Sequence, residues 1–553
     1  MTAAIYYHSE AFTTTGPKLM GRNAAGESFI AGYIKYSSAT EFWTLTATQK
    51  DAQEFTQKVS AGLRSEPVNR LSMSELTELQ KPGILFYPGP DISDQVFKRR
   101  AITGADSDWS VCGITHTTSS AGAMDSIVSW LTSPVREWDS VICTSQAVKK
   151  NVECLLGSQI EFLKEKLSAT KFIYPKLPII PLGINTEQFE FETDQKDFSR
   201  KELKIESDSI VVLYVGRLSF HAKANPVVMY QALERVSKNK KLVLVECGWH
   251  ANEYIESAFK KAAEVICPSV KIITLDGRIE HQRKLAWSSA DIFCSLSDNI
   301  QETFGITPVE AMAAGLPSLV SDWDGYKDTV RDGIDGFRIS TTMPTPGLGV
   351  DIVNRYVLGL DSYDMYCGNA SSFVSVDVDQ LVEKLDLLTS NQSLRVSMGL
   401  AAKQRAQNVF DWKFIVPQYE ALWSELAQIR SSYQQSNASA IRKPNQWPAR
   451  MDPYLIFESY PTKTLKTTEK ILVTEGSAEE TLQKFEKLNE LSMVNYTKDI
   501  NLKPKDVHSI IKRVGNSGMV LSELLGNYEA RFRPLVYRAV IWLMKFGILK
   551  VGK

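Results

Sequence analysis

Short apolar, β-branched runs alternate along this chain with longer amphipathic stretches. That is the pattern of parallel sheets with crossover helices. In the first half, residues 3–8, 83–87, 109–115, 140–144 and 178–181 read as strands. In the second half the strand-like runs are 210–215, 241–246, 271–275, 292–295 and 318–320. Amphipathic periodicity predicts helices over 225–237, 251–265, 281–288 and 307–314. The expected fold class is therefore α/β, with two doubly wound, Rossmann-like domains in series. Open sheets of this kind bind ligands at the carboxyl ends of their strands, so two facing sheets imply a cleft between the domains.

Punctuation along the chain sets the expected boundaries. Pro181-Leu182-Gly183-Ile184 and the residues to Phe189 close a first domain, 1–190, and the polar run 190–207 reads as a hinge. A second domain covers 191–410, and residues 411–426 form an amphipathic helix within a closing segment, 411–430. Residues 341–377 are long for a loop and contain Gly and Pro, so they are expected to decorate the second domain. Residues 431–450 are rich in Ser, Gln, Asn and Pro and begin a linker, 431–460. Beyond it, 461–553 holds 16 Lys/Arg against 10 Asp/Glu. Helical stretches 506–514, 520–525 and 533–546, separated by Gly-containing turns, predict a small basic helical domain with winged-helix-like spacing.

Composition narrows the class. At 553 residues the chain is too long for one core. Apolar content of 43% and charged content of 23% are those of an ordinary globular protein, and a net charge of −1 gives no whole-chain reason to bind a polyanion. The seven cysteines are scattered, with no C-x-x-C pair, and read as reduced core thiols. The N-terminus lacks the basic-then-apolar order of a signal peptide, and no apolar run reaches the roughly 18 residues of a membrane span. The expectation is a cytoplasmic protein, free or peripheral at the inner face of a membrane. Residues 531–553 carry six Lys/Arg and no acid, interleaved with aromatics, a composition open to a membrane-surface, protein or DNA contact. The plain alternative is a helix whose Leu535, Val536, Val540 and Leu543 pack inward. Nucleic acid is not the expected partner.

The densest chemistry lies in Gln301-Glu302-Thr303-Phe304-Gly305-Ile306-Thr307-Pro308-Val309-Glu310. Two carboxylates flank a loop-to-helix junction, and the free backbone N–H groups of Gly305, Ile306 and Thr307 suit an anion. Thr307 to Glu310 also reads as a capping box, with Thr at the N-cap, Pro next and Glu at the third helical position. A second cluster is Tyr214-Val215-Gly216-Arg217, with Lys223 six residues on, at the end of a predicted strand. Cleaving a sugar–phosphate bond leaves a diphosphate that a metal or fixed cations must neutralise. Arginine grips phosphate oxygens by two N–H groups and lysine adds a point charge. The loop 16–27, including Gly21 and Gly26, follows the first strand, and glycine permits close backbone approach there. His116 ends another strand, and Leu275-Asp276-Gly277-Arg278 turns after a third. The six histidines show no metal-binding spacing, so no metal site is expected.

The Glu302-to-Glu310 segment resembles the E-x7-E signature of retaining glycosyltransferases of family 4, which have the GT-B fold. The resemblance covers residues 1 to about 428 and is strongest from Tyr214 to Phe337. It implies that Glu302 contacts the donor sugar, that Glu310 holds the nucleotide ribose, and that Arg217 and Lys223 stabilise the leaving diphosphate without a metal. The Arg-to-Lys spacing here is one residue longer than usual. It further implies that Gly216 and Arg278 lie near the nucleotide, and that His116 and Gly26 face donor and acceptor. Helix start 146–150 is implied to be structural. The implied donor is a UDP- or GDP-sugar, the acceptor a carbohydrate or lipid-linked acceptor, and no cofactor is required. Two other readings share these residues: a GT-B nucleotide-sugar epimerase, and a nucleotide-sugar sensor with a DNA- or membrane-binding C-terminal domain. A phosphorylase would need a pyridoxal-binding lysine motif that the chain lacks.

Overall fold

The computed structural model describes residues 2–13, 21–192, 194–437 and 447–552. Two compact units are formed, Met1–Arg450 and Met451–Lys553. The first unit holds two six-stranded parallel sheets, as expected. One sheet runs β3-β2-β1-β4-β5-β6, with β1 Ala4–Tyr6, β2 Phe42–Thr46, β3 Val68–Ser72, β4 Ile84–Phe86, β5 Ser110–Ile114 and β6 Ser140–Ile142. The other runs β12-β11-β10-β7-β8-β9, with β7 Ile210–Val215, β8 Leu242–Gly248, β9 Lys271–Asp276, β10 Ile292–Ser295, β11 Ser318–Ser321 and β12 Gly336–Ile339. Central strands such as β10 are buried at every residue, which is why they read as unbroken apolar runs. Strands β2, β3 and β12 fall outside the sequence expectation. Residues 178–181 form bridge pairing beside β6, such as Cys143 with Ile179, without becoming a regular strand.

The chain crosses between the two lobes twice, and the crossings are stitched together. Ile184 N–H donates to Phe410 O at 2.9 Å, and Trp412 N–H donates to Ile184 O at 3.2 Å. Asp411 caps the closing helix Trp412–Ser436 through the Lys413 N–H, and its other oxygen accepts the Thr186 hydroxyl at 2.5 Å. This helix returns to the first lobe and packs on helix Gly21–Tyr36. Trp412 donates its indole N–H to Ser28 Oγ at 2.8 Å. A Cβ on Gly32 would lie 2.2 Å from the Trp412 ring, and one on Gly183 2.5 Å, so two glycines make its seat. Phe29, Tyr33, Phe86, Tyr419 and Trp423 complete an aromatic core there.

Several expectations need correction. The closing helix runs on to Ser436, into the stretch read as linker; residues 438–446 lie outside the described residues. The supposed hinge contains helix Gln195–Glu202, docked by Arg200 on Asp291 at 2.5 Å. Residues 341–377 form a helical hairpin, Val350–Val357 and Tyr363–Ser371, closed at its base by β13 Thr341–Thr342 pairing antiparallel with β14 Ser375–Val376.

The second unit sets helices Ala478–Asn489, Pro504–Val514, Leu521–Gly526 and Arg533–Lys545 against an antiparallel sheet of β15 Lys470–Val473, β16 Met519–Val520 and β17 Leu549–Val551. Val536, Val540 and Leu543 pack inward, while Arg531, Arg533, Arg538 and Lys545 are exposed. All seven cysteines are free thiols, six of them buried. Among the described residues no helix is long and apolar enough to cross a membrane.

Candidate functional site

The carboxyl edge of the second sheet gathers the main sequence candidates. After β7, Gly216 carries φ +154, and the chain turns so that Arg217 and Lys223 come off one loop. Arg217 donates through Nη2 to Ala222 O at 2.6 Å and to Gln301 Oε1 at 3.1 Å. Lys223 Nζ pairs with Glu302 Oε2. The other Glu302 oxygen accepts the Gly305 N–H at 3.1 Å. Burial pushes the Glu302 carboxyl up, but the Lys223 ammonium and the Thr303 and Gly305 amides outweigh it and hold the group below its ordinary value. The loops after β7 and β10 thus meet at one point, through Arg217 with Gln301 and Lys223 with Glu302.

Gly305 starts the helix Ile306–Ala313 in the left-handed region, φ +80. A Cβ there would lie 2.0 Å from Tyr326 Cε1, so only glycine fits. The N-cap is Gly305 and no side chain caps this helix, so the expected Thr307–Glu310 capping box does not form. The chain enters two residues earlier than Thr-Pro signalled, because Glu302 and the Gly305 turn set the entry. Glu310 is thereby released from capping. Burial pushes its carboxyl up to about 7, opposed by Arg283. Arg283 also donates to Gly277 O at 2.7 Å, which ties the turn after β9 to this carboxylate.

Arg278 forks onto Asp276 within its own turn, at 2.9 and 2.7 Å. Gly26 is buried, and a Cβ on it would lie 2.4 Å from Ala11 O, so its missing side chain serves helix-to-turn packing. Gly16 lies outside the described residues. His116 is half-buried after β5, and its carbonyl accepts the Thr303 hydroxyl at 3.3 Å.

That bond belongs to a set joining the lobes beside Glu302. Ser145 Oγ donates to Thr303 O at 2.8 Å, Thr144 Oγ1 donates to the same carbonyl at 3.3 Å, and the Gln146 N–H donates to Asp328 at 2.6 Å. Asp324 faces Ser145 across the cleft at 3.4 Å. Its carboxyl is pushed up to about 8, by burial first and then by the Glu302 charge. The helix start 146–150, implied to be structural, therefore takes part in the cleft through the Gln146 amide, and Thr144 and Ser145 just before it do so through their hydroxyls. Sequence reasoning also missed Arg283, Asp324 and Tyr326, whose hydroxyl shares a hydrogen bond with Ser295 at 2.9 Å.

Two parallel-sheet lobes joined by a returning helix, with cations and carboxylates gathered at one sheet edge, define the GT-B class of glycosyltransferase fold. Within the second lobe, residues 195–345 match the family model described as Glycosyl transferases group 1. The lipopolysaccharide 1,2-N-acetylglucosaminetransferase of Salmonella typhimurium is 28% identical over 202 residues, 35% of this chain and 49% of that protein. A D-inositol 3-phosphate glycosyltransferase of Corynebacterium glutamicum is 24% identical over 208 residues, 37% of this chain and 49% of that protein. The chain thus spans about half the length of these curated relatives. A glycosyltransferase crystal structure from Rickettsia africae superposes with a TM-score of 0.50 at 14% identity, covering 77% of this chain and 98% of that one, and supports the fold.

Proposed function

We propose that this protein is a nucleotide-sugar-dependent, anomer-retaining glycosyltransferase of family 4 type. The observation that carries the reading is the meeting of Arg217, Lys223, Glu302 and the helix start at Gly305 on one sheet edge. The donor diphosphate lies against Arg217, Lys223 and the first N–H groups of the helix, which have no intrahelical partner. Glu302 exchanges its lysine contact for the donor sugar, and Glu310 accepts from the ribose hydroxyls. Front-face departure of the nucleoside diphosphate lets the acceptor hydroxyl attack from the same side, and the leaving phosphate takes its proton. The acceptor enters from the first lobe near His116. The cross-lobe bonds at Thr303 exclude water and limit donor hydrolysis. On this account the fixed cations suffice and no metal is needed.

The donor is assigned as a UDP- or GDP-hexose, and the acceptor as a carbohydrate or lipid-linked glycan at the cytoplasmic side of a membrane. One relative named for lipopolysaccharide and another for D-inositol 3-phosphate frame that range. The exposed basic residues between 531 and 553 are assigned to a peripheral membrane or protein contact. The test is donor hydrolysis with UDP-, GDP- and ADP-sugars in EDTA, for wild type and Glu302→Ala. Slow turnover of one donor, lost in the variant, is expected. Turnover that needs added divalent metal, or survives in Glu302→Ala, would refute the mechanism.

A further inference from the structure

The hairpin 350–371 is rooted on the second lobe but bonds to the first. Its base is the β13–β14 pair, and its body is braced internally. The Tyr356 and Tyr366 rings stack at 4.5 Å, and Arg355 forks onto Asp361 at 2.8 Å. Gly368 sits on His221, where an added Cβ would lie 2.9 Å from the His221 Cβ. From this platform two tyrosines reach across the cleft. The Tyr363 hydroxyl shares hydrogen bonds with Ser119 Oγ at 2.7 Å and Thr117 Oγ1 at 3.3 Å. The Tyr356 hydroxyl accepts the Ala121 N–H at 3.0 Å. Residues 117–121 directly follow His116.

The same helix turn touches the leaving-group cation. Asp364 Oδ2 lies 3.6 Å from Arg217 Nη1, and Gln301, which accepts from the other arm of Arg217, is a neighbour of Tyr363. A segment serving only as surface decoration has no reason to place a carboxylate on that arginine and a hydroxyl on the opposite lobe from adjacent residues.

We propose that Tyr363 and Asp364 are positioning residues. Tyr363 ties the loop after His116 to the Gln301–Arg217 pair across the cleft, and Asp364 holds Arg217 in place until a diphosphate displaces it. This rests on Arg217 receiving a diphosphate. Asp364 is then a built-in competitor of the anion, and removing its charge tightens anion binding, the opposite of what loss of a structural brace would do.

The test uses the full chain, with inorganic pyrophosphate, UDP, GDP and ADP as probes in calorimetry and hydrogen exchange over residues 117–121. Asp364→Asn is expected to bind pyrophosphate roughly two- to fivefold more tightly at low salt, as for an exposed ion pair removed, with the gain shrinking at high salt. Asp364→Glu returns to the wild-type affinity. Tyr363→Phe leaves pyrophosphate affinity within about twofold and raises exchange over 117–121 about tenfold, the loss of about one or two neutral hydrogen bonds. Unchanged or weaker binding in Asp364→Asn, or unchanged exchange in Tyr363→Phe, would overturn the proposal. A wild type that binds none of the four probes would instead overturn the donor-site reading, while the exchange experiment still decides whether the hairpin ties the lobes.

Discussion

Replacing Glu310 by glutamine should make the protein more stable and its donor site worse, and the pH dependence of the first effect follows from the site. The carboxyl has an ordinary value of 4.5, and burial pushes it to about 7 in the folded protein. A raised folded value means that the group's contribution is fully present below the unfolded value and is lost as pH rises through the folded one. Ionising Glu310 in place therefore costs ~3 kcal/mol more than in water. Solvent reaching the half-buried carboxylate reduces this, so Glu310→Gln should gain about 1–3 kcal/mol at pH 8.5. At pH 5, where the folded wild type keeps its proton, the gain should shrink several-fold. Urea unfolding of both proteins at the two pH values measures the difference, and groups common to both cancel. If Glu310 accepts from ribose hydroxyls, the variant also loses charged hydrogen bonds of ~1.5–3 kcal/mol, a weakening of nucleotide binding of about 10- to 100-fold. A stability difference that is the same at both pH values, or a wild type more stable at pH 8.5, would refute the reasoning.

Three other perturbations have defined outcomes. Lys223→Met removes the partner of Glu302 and, on the proposed mechanism, a leaving-group cation, so donor turnover should fall about 10²- to 10³-fold, and burial should then move the Glu302 carboxyl upward in a pH–rate profile. Gly305→Ala forces a Cβ to within 2.0 Å of Tyr326 in a left-handed backbone, and unfolding should show a loss of more than ~2 kcal/mol; a variant as stable as wild type would count against this turn. Asp139→Ala leaves Arg99 unpaired where both side chains are 0% exposed, and should cost ~3–5 kcal/mol by the same measurement, with little loss if the pair carries no weight.

What the sequence made legible follows from where each residue's partner lies. Ile292–Ser295 and Ile210–Val215 are central strands covered on both faces, so composition alone marks them. Val68–Ser72 is an edge strand with Arg70 and Ser72 exposed, and Gly336–Ile339 is short and opens on glycine; neither leaves an apolar run to find. Glu302 and Glu310 could be read because one loop and its helix carry both. Arg283 and Asp324 could not: their meaning lies in Glu310 and Ser145, which only folding brings near. The capping-box expectation failed because Thr-Pro-x-Glu is a local signal, while a glycine turn packed on Tyr326 sets the true entry. The hairpin 350–371 read as loop because its two helices are short, Gly347 and Gly349 precede the first, and Gly359 separates them.

The seating of Trp412 in the first lobe has a consequence for biosynthesis. The tryptophan, with Tyr419 and Trp423, packs on Phe29, Gly32, Tyr33, Phe86 and Gly183, all made before residue 189. A ribosome adding roughly 5–20 residues per second needs on the order of 12–50 s to travel from there to the end of the closing helix. Through that interval the nascent first lobe stands with its aromatic socket open, and its completion waits for the second lobe to be synthesised. The first 190 residues expressed alone would be a lobe missing its keystone, so the two lobes mature together even though each has its own sheet.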